Sequence, residues 1–212
     1  MKKQSNLYTC EVKEDLDSLY FIIQKKIFGR FSEDPINLVK FAKSFIKQEG
    51  TILDIGTGTG IIPLAICVNL LSYKNIIAIE KNYIMSEMAK RTFEIQNIMN
   101  ITIINQDIMY YNPEQKFDVV FCNPPYFKTN YGKLPKNSIK KMARFECDIT
   151  LEKIIFKVKH ILNHEGLFFM CHLESRKDEI SRLLVKYSLR CDMYFKINSE
   201  STLIFFKISH QL

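Results

Sequence analysis

The stretch Phe121-Cys122-Asn123-Pro124-Pro125-Tyr126-Phe127 decides how this chain is read. It follows Lys116-Phe117-Asp118-Val119-Val120, a charged entry turning into an apolar run of the kind that forms a buried parallel strand. Two consecutive prolines end that strand, because neither donates to a ladder and each fixes its own φ. Tyr126 and Phe127 are therefore expected on a stiff corner at the carboxyl edge of a sheet, where open α/β sheets bind ligands.

A corner of this composition suits chemistry on an exocyclic amino group. The lone pair of such a nitrogen is delocalised into its ring, which makes it a poor nucleophile. The side-chain oxygen of Asn123 and the carbonyl of Pro124 can accept its two N–H groups and leave the lone pair facing an electrophile. Tyr126 offers a ring for a base to stack on, worth roughly 1–3 kcal/mol. A rigid Pro-Pro turn that merely ends a strand is the simpler alternative, and the residues around it decide between the two.

Upstream, Thr51-Ile52-Leu53-Asp54-Ile55 reads as a short buried strand, and Gly56-Thr57-Gly58-Thr59-Gly60 as the turn after it. Three of the chain's seven glycines fall in those five positions, where glycine permits positive φ and a close approach of ligand to backbone N–H groups. A helix is expected from about Ile61 to Leu71, its positive end facing the same crevice. The third glycine comes one residue too early for the dinucleotide fingerprint. Asp54 at the turn is awkward for a pyrophosphate but suits an ammonium group, such as the methionine end of S-adenosylmethionine. Strand Asn75–Glu80 ends in a carboxylate able to take both hydroxyls of a ribose. A helix over roughly Tyr83–Asn97 and a strand Ile101–Asn105 follow, and Asp107 sits just past the strand tip as a possible acceptor for an adenine amino group. Asp54, Glu80, Asp107 and Asn123 are thus expected along one edge of a parallel sheet in βαβαβ order.

Downstream, residues 128–147 break the alternation. They hold Lys128, Lys133, Lys136, Lys140, Lys141 and Arg144 with almost no acid before Glu146. So long a segment in a compact domain is usually functional or mobile, and beside an amino-group site it reads as a phosphate-gripping lid; a plain solvated loop is the alternative. Thr150 caps a helix through about Leu162, strand Leu167–Cys171 follows Gly166, and a helix covers Glu174–Tyr187. Strands Leu189–Ile197 and Thr202–Ile208 close the chain through a hairpin-type connection. Before the sheet, residues 1–31 suggest a small strand or hairpin flap. Asp34 and Pro35 read as N-cap and N1 of a helix through Ile46, closed by Gly50. The expected fold is α/β: a seven-stranded Rossmann-like sheet, mostly parallel with an antiparallel C-terminal hairpin and helices on both faces. One domain is expected over residues 1–212, with 1–34 as an extension and 128–147 as a basic substrate loop.

Composition agrees with a soluble globular chain: 212 residues, 47% hydrophobic and 25% charged. A net charge of +7 and a pI near 9.0 favour a nucleic-acid partner. Six scattered cysteines without a C-x-x-C pair indicate a reduced compartment rather than disulfides or zinc. His160 and His164 lack companions at ligand spacing, so no metal is expected. The N-terminus has no apolar signal region, and the longest apolar stretch, Ile61–Leu71, is too short to cross a bilayer. A cytoplasmic monomer away from membranes is expected.

At these residues the sequence resembles the class I S-adenosylmethionine-dependent methyltransferases of the amino-modifying kind, and within them is most similar to the bacterial tRNA(Val) adenine-N6 methyltransferases. The resemblance runs from about Phe31 to the end. It is carried by Ile23-Gln24-Lys25, Phe31-Ser32-Glu33-Asp34, Asp54 through Leu64, Asn123 through Lys128, and Ala143-Arg144-Phe145-Glu146. It implies that Asp54, Gly56, Gly58 and Gly60 hold the methionine end of the cofactor, Glu80 its ribose and Asp107 its adenine, with S-adenosylhomocysteine as product. It further implies a target adenine stacked on Tyr126, its N6 held by Asn123 and Pro124, with Phe127, Lys128, Lys140, Lys141 and Arg144 on the tRNA side. The same corner also serves release-factor glutamine N5-methyltransferases and ribosomal-RNA or DNA amino-methyltransferases. A nicotinamide oxidoreductase is disfavoured by the early third glycine, and a non-catalytic RNA adaptor by the intact Asn123–Tyr126.

Overall fold

The computed structural model describes residues 11–16, 20–25, 32–47, 50–69, 75–128, 146 and 149–211. In chain order these form β1 (Glu11–Asp15), β2 (Phe21–Lys25), α1 (Asp34–Ala42), β3 (Thr51–Ile55), α2 (Ile61–Asn69), β4 (Asn75–Glu80) and α3 (Tyr83–Gln96). Then come β5 (Ile101–Asn105), β6 (Phe117–Cys122), α4 (Leu151–Ile161), β7 (Leu162–Leu173), α5 (Lys177–Lys186), β8 (Leu189–Phe195) and β9 (Leu203–His210).

The β4, β3, β6 and β7 runs are apolar on both faces, as strands covered by helices must be. They form the centre of a seven-stranded sheet ordered β5-β4-β3-β6-β7-β9-β8. The five strands from β5 to β7 are parallel, and β9 and β8 complete the sheet antiparallel. Along β6, Val120 and Cys122 point into one core layer with α4 and α5, while Val119 and Phe121 point into the other with α1 and α2. This alternation of period two is what lets one strand feed two cores.

The β1–β2 hairpin stands apart from the main sheet and is tied to α3. The backbone N–H of Ile23 donates to the Thr92 hydroxyl, and Phe21 exchanges two bonds with the Gln96 side chain. Ile22 joins Leu64, Ala89 and Phe93 in a third apolar cluster.

Several boundaries differ from those expected, β8 (Leu189–Phe195) and β9 (Leu203–His210) by one or two residues at their ends. Helix α1 stops at Ala42, where the Phe45 N–H turns back onto the Ala42 carbonyl and brings the Phe45 ring onto Phe41 and Phe169. Aromatic packing thus ends this helix, not Gly50. Gly50 instead has φ +141°, and a Cβ there would lie 2.8 Å from Asp118 Oδ2, the atom that accepts the Thr51 N–H. Asp34 is not a cap: Glu33 holds the N-cap position without a side-chain bond, and Asp34 lies in the first turn. Strand β7 starts at Leu162, five residues early, because Leu162 already pairs with Phe117 before an irregularity carries the register to Val119–Leu167. Finally, Glu174–Arg176 form a 3₁₀ turn ahead of α5.

Candidate functional site

The glycine turn leaves β3 and is hung from the neighbouring strand. Gly56 and Thr57 both donate to the Ile79 carbonyl, at 2.9 and 3.0 Å. Gly56, Gly58 and Gly60 have φ of +71°, +60° and +92°, a region that disfavours side chains. Their roles then divide. A Cβ at Gly56 or Gly58 would meet nothing within 4 Å, whereas one at Gly60 would sit 2.8 Å from the Phe93 ring. Gly60 lets α2 pack on α3, and the first two glycines open the backbone to a ligand.

Glu80, at the end of β4, staples the turn. Its two oxygens accept the Gly58 N–H at 2.8 Å and the Asn82 N–H at 2.7 Å. Burial raises its pKa, and these backbone bonds draw it back. Each oxygen keeps a further lone pair for a ligand hydroxyl. Asp54 is fully buried, and among the described residues neither of its oxygens has a hydrogen-bond partner. Burial pushes its carboxyl up to about 7; the Thr57 hydroxyl lies near enough to lower it without reaching good hydrogen-bond geometry, and the Glu80 charge raises it. Both oxygens of this acid, behind an open glycine turn, are left as unpaired acceptors. Asp107 Oδ1 accepts the Met109 N–H and starts the Ile108–Tyr110 turn, while Oδ2 lies 3.2 Å from the Lys81 ammonium.

Asn123 belongs to the same rim. β3 and β6 are paired with Asp54 beside Phe121 and Ile55 beside Cys122. The next residues on the two strands are therefore Gly56 and Asn123. The Asn123 side-chain oxygen accepts from the Tyr126 hydroxyl at 2.6 Å. That hydroxyl also lies 3.2 Å from Asp34 Oδ2 and 3.4 Å from Cys171 Sγ. A phenol has one proton, which the shortest contact assigns to Asn123. Burial, with the neighbouring Cys171 and Asp34, pushes the phenol well above its usual pKa. The Tyr126 ring packs on the α1–α2 core and lies 5.6 Å from the His172 ring at 60°.

A second network fixes the corner from below. Arg176, almost fully buried, pairs with Glu146 and Glu179 and reaches the Tyr126 carbonyl at 3.4 Å. The Glu146 N–H donates to the Phe127 carbonyl at 2.8 Å, and the Lys128 ammonium pairs with Glu179 at 3.0 Å. Both ends of the basic segment are thereby tied to the start of α5.

Asp54, the three glycines, Glu80, Asp107, Asn123, Pro124 and Tyr126 thus gather on one edge of the sheet. Phe127 and Lys128 lie at its margin, and Lys140, Lys141 and Arg144 fall outside the described residues. Sequence reasoning did not assign Asp34, His172, Arg176 or Glu179 to the site. Asp34 has the sequence context of a helix cap, and the others come from a strand end and helix start with no local pattern of their own.

The family described as "Methyltransferase small domain" matches residues 31–174. Over 139 residues the chain is 32% identical to a tRNA1(Val) (adenine(37)-N6)-methyltransferase of Bacteroides thetaiotaomicron, covering 65% of this chain and 58% of that protein. Over 158 residues it is 32% identical to a release factor glutamine methyltransferase of Buchnera aphidicola, covering 71% of this chain and 56% of that protein. The chain thus spans a little over half the length of each of these relatives. In fold it is similar to M. jannaschii TYW2 in complex with AdoMet, with a TM-score of 0.63 at 15% identity over 96% of this chain and 89% of that one. The match extends across both the glycine turn and the Asn-Pro-Pro-Tyr corner, and the chain belongs to the methyltransferase small-domain family.

Proposed function

We propose that this chain is an S-adenosylmethionine-dependent methyltransferase acting on the N6 amino group of an adenine in tRNA, the position-37 adenine of tRNA(Val) being the first candidate. The observation that carries this reading is the pairing of Ile55 with Cys122, which sets the glycine turn and Asn123 side by side.

The residues present fit the cofactor. Asp54 has two unpartnered oxygens for the ammonium, and the open Gly56 and Gly58 backbone admits the methionine end, with Gly60 holding the turn against α3. Glu80 keeps acceptor capacity for ribose hydroxyls, and Asp107 lies one strand further along for the adenine amino group. When bound, S-adenosylmethionine supplies an electrophilic methyl group on sulfur. Asn123 and Pro124 accept the two N–H groups of the target amine and turn its lone pair toward the cofactor side. Such positioning is worth up to roughly 7–11 kcal/mol of barrier. No strong base is needed, because a ring amine that has gained a fourth bond is acidic and releases its proton to water. Tyr126 orients Asn123 and offers its ring to the base; Phe127, Lys128, Lys140, Lys141 and Arg144 face the RNA, the lysines and arginine on phosphates. An anticodon-loop base is already partly unstacked, so extruding it costs less than the few kcal/mol required in a duplex. In this reading the whole chain works as one domain, a monomer of the cytoplasm.

The Buchnera relative favours a second substrate, a release-factor glutamine, whose carboxamide offers the same two N–H groups. One experiment separates the two. The protein is incubated with labelled S-adenosylmethionine, bulk tRNA and release factor, and the tRNA is digested to nucleosides for mass spectrometry. Labelled N6-methyladenosine is expected; label in the protein fraction alone would transfer the assignment to glutamine.

A further inference from the structure

His172 has no part in the scheme above, yet it lies against it. It is completely buried on β7, two residues beyond Met170, which pairs with Cys122 of β6. It is thus level with the Asn-Pro-Pro corner on the adjacent strand. Its ring is 5.6 Å from that of Tyr126, whose hydroxyl is 2.6 Å from the Asn123 oxygen. Nδ1 accepts the Leu173 backbone N–H at 2.8 Å, so in the neutral ring the proton is on Nε2. That N–H has no hydrogen-bond partner among the described residues, a rare state for a buried donor. Burial and the nearby Arg176 charge lower the ring's pKa to about 3, so it stays neutral and keeps this unpaired donor.

Building on the adenine reading, we propose that the His172 Nε2–H reads the N1 acceptor of the target adenine while Asn123 and Pro124 hold its amino group. Flipped bases are read along their Watson–Crick edge. Adenine presents N1 as an acceptor beside its amine, whereas guanine presents an N–H at N1. A donor at His172 therefore favours adenine.

The test uses an anticodon stem-loop RNA carrying adenosine, 1-deazaadenosine or 7-deazaadenosine at the target. With the wild-type protein, loss of N1 lowers kcat/KM by roughly 10- to 100-fold, and loss of N7 leaves it near the adenosine value. In His172→Leu, adenosine drops to about the 1-deaza level and 1-deazaadenosine loses nothing more. His172→Gln, which keeps a donor, recovers part of the discrimination. Melting temperature and cofactor affinity establish that each variant is folded. A 1-deaza substrate as good as adenosine in the wild-type protein overturns the inference without any variant. So does a 1-deaza penalty equal in wild type and His172→Leu, which would leave the N–H directed at the Tyr126 ring. Absence of transfer to the unmodified stem-loop would instead remove the tRNA reading, and this inference with it.

Discussion

The Tyr126 hydroxyl donates to the side-chain oxygen of Asn123 across 2.6 Å, three residues back along the same corner. The prolines between them fix the backbone, so this bond sets which way the amide oxygen faces. Tyr126→Phe keeps the ring and removes the bond. Under the proposed function, the single-turnover methylation rate falls about fivefold to tenfold, near 1 kcal/mol, while RNA affinity stays within about twofold. Tyr126→Ala loses RNA affinity as well, by roughly 1–3 kcal/mol if a base stacks there. An unchanged rate in Tyr126→Phe would mean that the hydroxyl does not orient the amide.

Asp54 makes the protein without cofactor sensitive to pH. Its carboxyl titrates at about 7 when folded, against 3.8 as the ordinary value. Between those values the folded chain retains a proton that the unfolded chain has released. Stability therefore falls as pH rises through this window and levels off above it. The contribution reaches at most about 4 kcal/mol. Denaturant melts at pH 5 and pH 8 should differ more for the wild-type protein than for Asp54→Asn. A bound ammonium would ionise Asp54, so cofactor binding near pH 6 should release a proton, visible as a buffer-dependent heat in calorimetry.

Gly58 and Gly60 separate ligand approach from packing. Gly60→Ala places a methyl 2.8 Å from the Phe93 ring at φ +92°, and a clear fall in melting temperature is expected. Gly58→Ala meets open space at φ +60°; its backbone strain costs only about 1–2 kcal/mol. Its larger effect should appear in cofactor affinity. Thermal melts beside cofactor titrations of the two variants check this division.

Arg176 holds two carboxylates in a largely buried cluster, Glu146 and Glu179. Removing it leaves those charges unpaired, so Arg176→Gln should destabilise the fold by roughly 3–5 kcal/mol. Its bonds, with help from Lys128, depress the Glu179 carboxyl to about 2. A carboxylate lowered in this way stabilises the protein above its ordinary value and loses that contribution as pH falls toward 2. The wild-type protein should therefore lose stability between about pH 4.5 and 2 more steeply than Glu179→Gln, as chemical denaturation across that range would measure.

The sheet and its polar rim were legible because their signals are local. Strand β3, the glycine turn, β4 ending in Glu80, and β6 running into Asn-Pro-Pro-Tyr each declare themselves within a few residues, and βαβ connections place them in order. The partners of those residues were not legible. Asp34 has the composition of a helix cap, yet its carboxylate lies 3.2 Å from the hydroxyl of Tyr126, 92 positions away. Arg176 meets Glu146 only because β7 returns beside β6, a contact with no trace in either stretch. Helix α1 ended early for the same kind of reason: Phe41 and Phe45 answer to Phe169 on a distant strand. The lysines of the basic segment lie largely outside the described residues.

The central claim is that Asn123 and the glycine turn form one site with separate duties, the turn binding cofactor and Asn123 holding the amine. Asn123→Ala tests it most directly, with cofactor affinity and methyl transfer to tRNA measured on the same preparation. Cofactor affinity should stay within about threefold of wild type, under 1 kcal/mol, with transfer reduced to background. Sustained transfer, or loss of cofactor binding in a folded variant, would contradict it.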